Sequence, residues 1–155
     1  MHRAVQAGAD PDAIVQNPFL NDSQRKAITQ LAELIIPKTD TAGAIEAGVP
    51  AFIELMLSDW YAAEERAPFL EGLANLDLGA KERHGLLFAD CEVKQQTELF
   101  RQHEGDAFFK MARELTTVGY YTSEVGVNAE LKYLPVPGAY IGDYDYADIG
   151  RQTVN

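Results

Sequence analysis

Asn21-Asp-Ser-Gln-Arg-Lys-Ala-Ile-Thr-Gln-Leu-Ala-Glu-Leu-Ile-Ile-Pro37 decides the fold class. Asn21, Asp22 and Ser23 carry side chains that cap exposed amides, and Gln24 stands three residues after Asn21, where a capping-box partner belongs. Apolar residues then recur at Ala27, Ile28, Leu31, Leu34 and Ile35, one face of a helix with a 3.6-residue period. Pro37 ends it.

Upstream, Pro11 to Val15 reads as a short helix opened by Asp10 and Pro11. Downstream, Thr39 to Val49 is dominated by small and turn-forming residues and reads as a structured loop. Pro50 suits the first residue of a second helix, through Phe52, Ile53, Leu55, Met56, Leu57 and Trp60. That helix is apolar on most sides, which predicts a central position. A third helix is predicted over Glu64 to Leu76, with Phe69, Leu70 and Leu73 inward and Pro68 in its first turn, where a missing amide costs little. Gly79 to Gly85 reads as a break or a short helix. Asp90 to His103 reads as a helix with Val93, Thr97 and Phe100 at helical spacing. The last predicted helix runs from Asp106 to Thr122, its buried stripe formed by Phe108, Met111, Ala112, Leu115 and Val118, with Gly119 permitting a close neighbour.

After Ser123 the pattern changes. Pro135 and Pro137 exclude a helix around them and bias their predecessors towards extended geometry, and Gly126, Gly138, Gly142 and Gly150 punctuate the rest. The expected fold is all-α, a single domain of five or six helices with a long extended, Pro/Gly/Tyr-rich C-terminal arm. Residues 1–20 form an N-terminal segment, 21–123 the helical body and 124–155 the arm.

Composition sets the limits of function. A chain of 155 residues is about one domain, and one of this size buries roughly 68–70% of its unfolded surface. Its 46% hydrophobic and 24% charged residues place it with folded proteins. A net charge of −11 without a basic block excludes nucleic acid as a partner and disfavours anionic membranes. No apolar run approaches the ~18 residues of a membrane span. Cys91 is alone, so no intrachain disulfide or thiolate cluster can form, and it reads as a small buried residue. Met1 to Gly8 has one Arg and no apolar stretch after it, which is not a signal peptide as it stands. The expectation is either a cytosolic protein or a mature form whose leader was replaced by Met1.

Catalysis needs reactive groups that converge, and none do in this text. His2, His84 and His103 each lack a second histidine at helical spacing, Glu82 and His84 point to different helix faces, and His103 and Asp106 straddle Gly105. Solvated surface residues explain these better than a metal site. Glu64 and Glu65 read as a helix start, Asp143 and Asp145 as a charged tail. There is no Gly-x-Gly-x-x-Gly after a strand, no phosphate loop, no nucleophile elbow at Ser23, Ser58 or Ser123, and no Cys-x-x-Cys-His. No catalytic, cofactor-binding or metal-binding residue is expected in this chain.

The tyrosines are the unusual feature. Of seven, only Tyr61 lies outside the segment from Tyr120 to Tyr146. Tyrosine gives large contact area at little cost in rotamer entropy and is enriched where proteins meet. Tyr120, Tyr121, Tyr133, Pro135, Pro137, Tyr140, Tyr144 and Tyr146 are therefore the expected partner-binding residues. The plainer alternative is a tail that wraps over its own helices.

Three blocks carry a family resemblance. Leu31-Ala-Glu-Leu-Ile-Ile-Pro-Lys-Thr-Asp-Thr-Ala-Gly-Ala44, with Ala47-Gly-Val-Pro-Ala-Phe-Ile53, resembles the opening of the gluconate 2-dehydrogenase subunit 3 family. Phe108-Phe-Lys-Met-Ala-Arg-Glu-Leu-Thr-Thr-Val-Gly-Tyr-Tyr-Thr-Ser-Glu-Val-Gly126 is similar to its second signature, and Tyr133-Leu-Pro-Val-Pro-Gly-Ala-Tyr-Ile-Gly-Asp143 to its closing segment. The resemblance implies a helical, non-catalytic small subunit that pairs with a large subunit of the glucose–methanol–choline oxidoreductase type. In such complexes the large subunit holds FAD and oxidises the sugar, and electrons commonly pass to a cytochrome c. It also implies a periplasmic location reached by twin-arginine export, although Met1 to Gly8 does not read as such a leader. Thr122 to Gly126 and the segment around Pro135 look more like relatives beside glucoside 3-dehydrogenases than like the gluconate enzyme's own subunit. The competing readings are a stand-alone helical interaction protein and a small metal-dependent enzyme.

Overall fold

A computed structural model describes residues 19–133 and 153–154. Helix α1 spans Asp22–Ile35, and its capping box is formed as the sequence predicts. The Gln24 amide donates to Asn21 Oδ1 and the Asn21 amide to Gln24 Oε1, both at 2.9 Å. Such a cap contributes about 1 kcal/mol. Ala27, Ile28, Leu31 and Ala32 are buried, and the helix stops short of Pro37.

Five more helices follow: α2 (Val49–Leu55), α3 (Ala63–His84), α4 (Val93–Arg101), α5 (Ala107–Tyr121) and α6 (Glu124–Glu130). A π-helical turn, Met56–Trp60, continues α2, and a single 3-10 turn, Phe88–Asp90, links α3 to α4. Beyond α6, Lys132–Tyr133 (β1) and Thr153–Val154 (β2) pair in parallel over two residues each. The class is all-α, as expected. The short helix predicted at Pro11 to Val15 lies outside the described residues. No helix among the described residues is long and apolar enough to cross a membrane.

Helix α5 packs against α1, α2 and α3 and carries α6 at its end. One close approach is to α3. Gly72 leaves room for the Phe108 ring, and a β-carbon there would lie 2.0 Å from Phe108 Cγ. Phe108 meets Phe69 edge-on at 5.5 Å and Phe100 at 6.0 Å between ring centres. Edge-on pairs add about 0.5–1.5 kcal/mol each beyond the area they bury.

Helix α2 is central, as its apolar sequence predicts, yet it carries Glu54, only 7% exposed. A buried carboxylate needs a partner, and Arg25 of α1 supplies one. Its Nε donates to Oε2 and its Nη2 to Oε1, both at 2.9 Å. That hydrogen bond, against the opposing effect of burial, raises the Arg25 pKa above its usual value. The fork ties α1 to α2 and fixes their register.

Four expectations need correction. Helix α3 runs without a break to His84 and ends at Gly85 in the left-handed conformation (φ 69°). Gly79 is tolerated inside it, at about 1 kcal/mol relative to alanine, because Leu76 and Ala80 on either side are buried. Pro68 sits inside α3 rather than in its first turn. In α4 the buried face is Gln96, Leu99 and Phe100, while Val93 is 67% exposed. Periodicity misplaced that stripe because a glutamine occupies a core position, where its Nε2 donates to the Phe88 carbonyl at 3.0 Å. Lastly, the first part of the supposed extended arm is helical. Ser123 caps α6 by accepting from the Gly126 amide at 2.9 Å, and Gly126 lies so close to the Tyr120 carbonyl that a β-carbon would meet it at 2.0 Å.

Candidate partner-binding surface

The loop between α1 and α2 is built on one carboxylate. Glu33 accepts from the Lys38 amide at 2.8 Å and from the Ile45 amide at 3.0 Å, so it spans the loop from inside. Gly43 is required at its centre, since a β-carbon there would fall 2.5 Å from Glu33 Oε1 and 2.6 Å from the Lys38 nitrogen. Outside, the Lys38 ammonium pairs with Glu46, which raises the lysine pKa above its usual value. The Tyr120 hydroxyl closes the far side, donating to the Ala42 carbonyl at 2.7 Å.

That bond removes Tyr120 from the expected partner contacts. Its side chain is 1% exposed, one of the largest fully buried groups in the core. Positions 108, 112, 115, 116, 119 and 120 all face inward on α5, and Tyr120 continues the stripe that the sequence itself displays. Tyr121, one residue further round the helix, is 42% exposed, with its ring edge-on to Tyr120 at 5.3 Å. Val118, expected inward, is 50% exposed and shares the Tyr121 face at a spacing of three residues. Further along the outer side of α5 an open groove of about 610 Å³ runs past Asp106, Phe109, Arg113 and Val118. The backbone of Tyr133 lies in β1. Pro135, Pro137, Tyr140, Tyr144 and Tyr146 lie outside the described residues.

Sequence reasoning missed Trp60. The apolar pattern from Pro50 predicts it at the end of a central helix, but it is 74% exposed. The π-helical turn is the cause: the Tyr61 amide donates to the Met56 carbonyl at 3.0 Å, five residues back, and the wider turn carries Trp60 off the buried face. Arg66 holds the turn, its Nη1 donating to the Leu57 carbonyl at 2.8 Å and the Ser58 carbonyl at 3.3 Å. The same guanidinium lies 4.5 Å over the ring of Phe19. A period-based reading has no signal for a π turn.

His84 and His103 each have a local partner. His103 Nδ1 and Asp106 Oδ2 lie 2.8 Å apart, while Asp106 Oδ1 accepts from the Phe109 amide at 2.8 Å as the cap of α5. The Gln95 amide group meets His84 Nδ1 at 3.2 Å. Among the described residues no three His, Cys, Asp or Glu side chains are placed to share a metal ion.

Cys91 is buried, and its Sγ donates to the Leu87 carbonyl at 3.4 Å. Burial pushes its thiol up from the usual value, with smaller contributions from Asp90 and Asp77. Iodoacetamide at pH 8 is therefore expected to label Cys91 much more slowly in the native protein than in denaturant. Equal rates, read by mass spectrometry, would contradict the burial. The sign for stability follows: above the unfolded thiol's pKa of about 8.5 the unfolded chain loses its proton first, so this group lowers stability as pH rises further.

What emerges is a helical body with an organised loop and exposed aromatic groups. The chain matches the family model described as gluconate 2-dehydrogenase subunit 3 over residues 22–138. It belongs to that family. The family is that of a subunit of a dehydrogenase complex, with which an accessory role for this chain is consistent. No curated protein and no solved structure matches the chain.

Proposed function

We propose that the chain is a non-catalytic small subunit that docks on an FAD-dependent large subunit of the glucose–methanol–choline oxidoreductase type. Its family membership over residues 22–138 carries this reading. The large subunit binds FAD and oxidises a sugar, as gluconate 2-dehydrogenases and glucoside 3-dehydrogenases do, and a cytochrome c takes the electrons. The small subunit supports the stability, maturation or export of the flavoprotein by the twin-arginine route, and the complex works in the periplasm. Docking uses Tyr121 at the end of α5 together with Tyr133, Pro135, Pro137, Tyr140, Tyr144 and Tyr146 of the arm. Exposed Val118 and Tyr121 on one face at the end of α5 support this choice.

Co-expression with an FAD-dependent large subunit of that type from the same genome tests the reading. One size-exclusion peak with both chains and flavin absorbance is expected, and it should be lost when this chain is omitted. Two separate peaks with a fully active flavoprotein alone would refute it. A second variant ends at Leu131, which keeps α6 against Tyr120. It is expected to retain its helical circular dichroism and to lose the partner; retained co-elution would move the interface off the arm.

A further inference from the structure

A solvent-exposed tryptophan on a braced turn is costly to leave in water and inexpensive to order on binding. Trp60 combines both properties. It is the sole tryptophan of the chain and is 74% exposed, whereas tryptophan is on average highly buried. Its backbone is already fixed by the π-helical hydrogen bond and by Arg66 on the Leu57 and Ser58 carbonyls. An anchor held in place before docking loses little further entropy on binding.

The charge around it selects the occupant. Asp59 precedes Trp60, and Glu64 and Glu65 follow in the first turn of α3; all three are exposed. None forms an ion pair among the described residues: Asp59 accepts only from the Ser58 hydroxyl, and Glu65 from the Ala62 amide. Among the described residues, the nearby Arg66 is held on the turn's own carbonyls and forms no ion pair with that rim. Residues 1–18 hold one Arg against two Asp, and residues 132–155 one Lys and one Arg against three Asp. A second copy would bring another net −11. Like charges facing each other across an interface are penalised, and opposite charges fix register and speed encounter.

We infer that Trp60 is a docking anchor for the large subunit, which receives the indole in an apolar pocket rimmed by Lys or Arg side chains. This rests on the accessory-subunit reading above and adds a second contact, on the opposite side of the sequence from the arm. Tryptophan is the residue type most enriched at binding hot spots, where truncation weakens affinity by about 30-fold or more. The acidic rim contributes chiefly to the rate of association, so its effect shrinks as salt rises.

The test is surface binding of the flavoprotein to immobilised full-length chain, comparing wild type, Trp60→Ala, the triple variant Asp59→Asn/Glu64→Gln/Glu65→Gln, and Leu86→Ser. Leu86 is a control, 46% exposed and remote in sequence. Circular dichroism verifies that each variant is folded, as expected for exposed positions. The inference stands if Trp60→Ala weakens binding by about 30-fold or more, the triple variant slows association in low salt, and Leu86→Ser changes neither. Wild-type affinity in Trp60→Ala overturns it while leaving the accessory-subunit reading intact. No binding by the wild-type chain removes that reading, and the inference with it. If Trp60→Ala instead converts a dimer of this chain to a monomer on gel filtration, the anchor serves self-association and the inference is likewise overturned.

Discussion

Tyr120→Ala is expected to destabilise the isolated protein by about 3–5 kcal/mol, the cost of truncating a buried aromatic ring. For a domain of this size that corresponds to a fall in Tm of roughly 6–20 °C. Two losses combine. The ring leaves a cavity among α5, α6 and the α1–α2 loop, and the Ala42 carbonyl loses its hydroxyl donor. Tyr120→Phe separates them: it keeps the ring and removes the hydroxyl that donates to Ala42, for about 1 kcal/mol. Thermal unfolding of the isolated chain decides the matter. If Tyr120→Ala melts like wild type but no longer binds a partner, Tyr120 is an interface residue and its placement in the core is wrong.

The second large effect is expected at the crossing of α3 and α5. Phe108→Ala removes a side chain that is 2% exposed and touches Phe69, Phe100 and His103 edge-on, and should cost about 3–5 kcal/mol. Gly72→Ala attacks the same contact from the other side, by adding a methyl group where Phe108 already stands. Overpacking of this kind costs about 1–3 kcal/mol, and more when neither helix can retreat. The two changes share one space, so their costs should not add. In the double variant the overlaps with Phe108 Cγ and Cδ1 are gone and only the one with its β-carbon, at 2.5 Å, remains, so it should be more stable than the sum of the single losses predicts. Strict additivity in denaturant titrations would mean that the two residues do not press on each other.

The sequence made most of this fold legible because its helices announce their own ends. Asn21 with Gln24, and Asp106 before α5, satisfy local backbone groups, Pro37 withholds a donor, and such local signals survive without tertiary information. What failed was decided by neighbours. Gly79 looked like a breaker, yet a glycine with Leu76 and Ala80 beside it in the core stays helical. Gln96 looked like surface until Phe88 offered it a carbonyl. The candidate site was less legible. Tyr120 and Tyr121 are equivalent in composition and opposite in exposure, and only the α5 stripe tells them apart. The sequence pattern puts Trp60 in a central apolar helix, and a π turn displaces that helical period by one residue.

The bond between Tyr120 and Ala42 joins groups 78 positions apart. At a synthesis rate of about 5–20 residues per second, those positions leave the ribosome roughly 4–16 s apart. Glu33 fastens the loop early, since Lys38 and Ile45 follow it by only 5 and 12 residues. The tyrosine latch closes last, once α5 has been made. A nascent chain therefore spends several seconds with this loop tied at one side only, and the finished loop records that α5 has arrived.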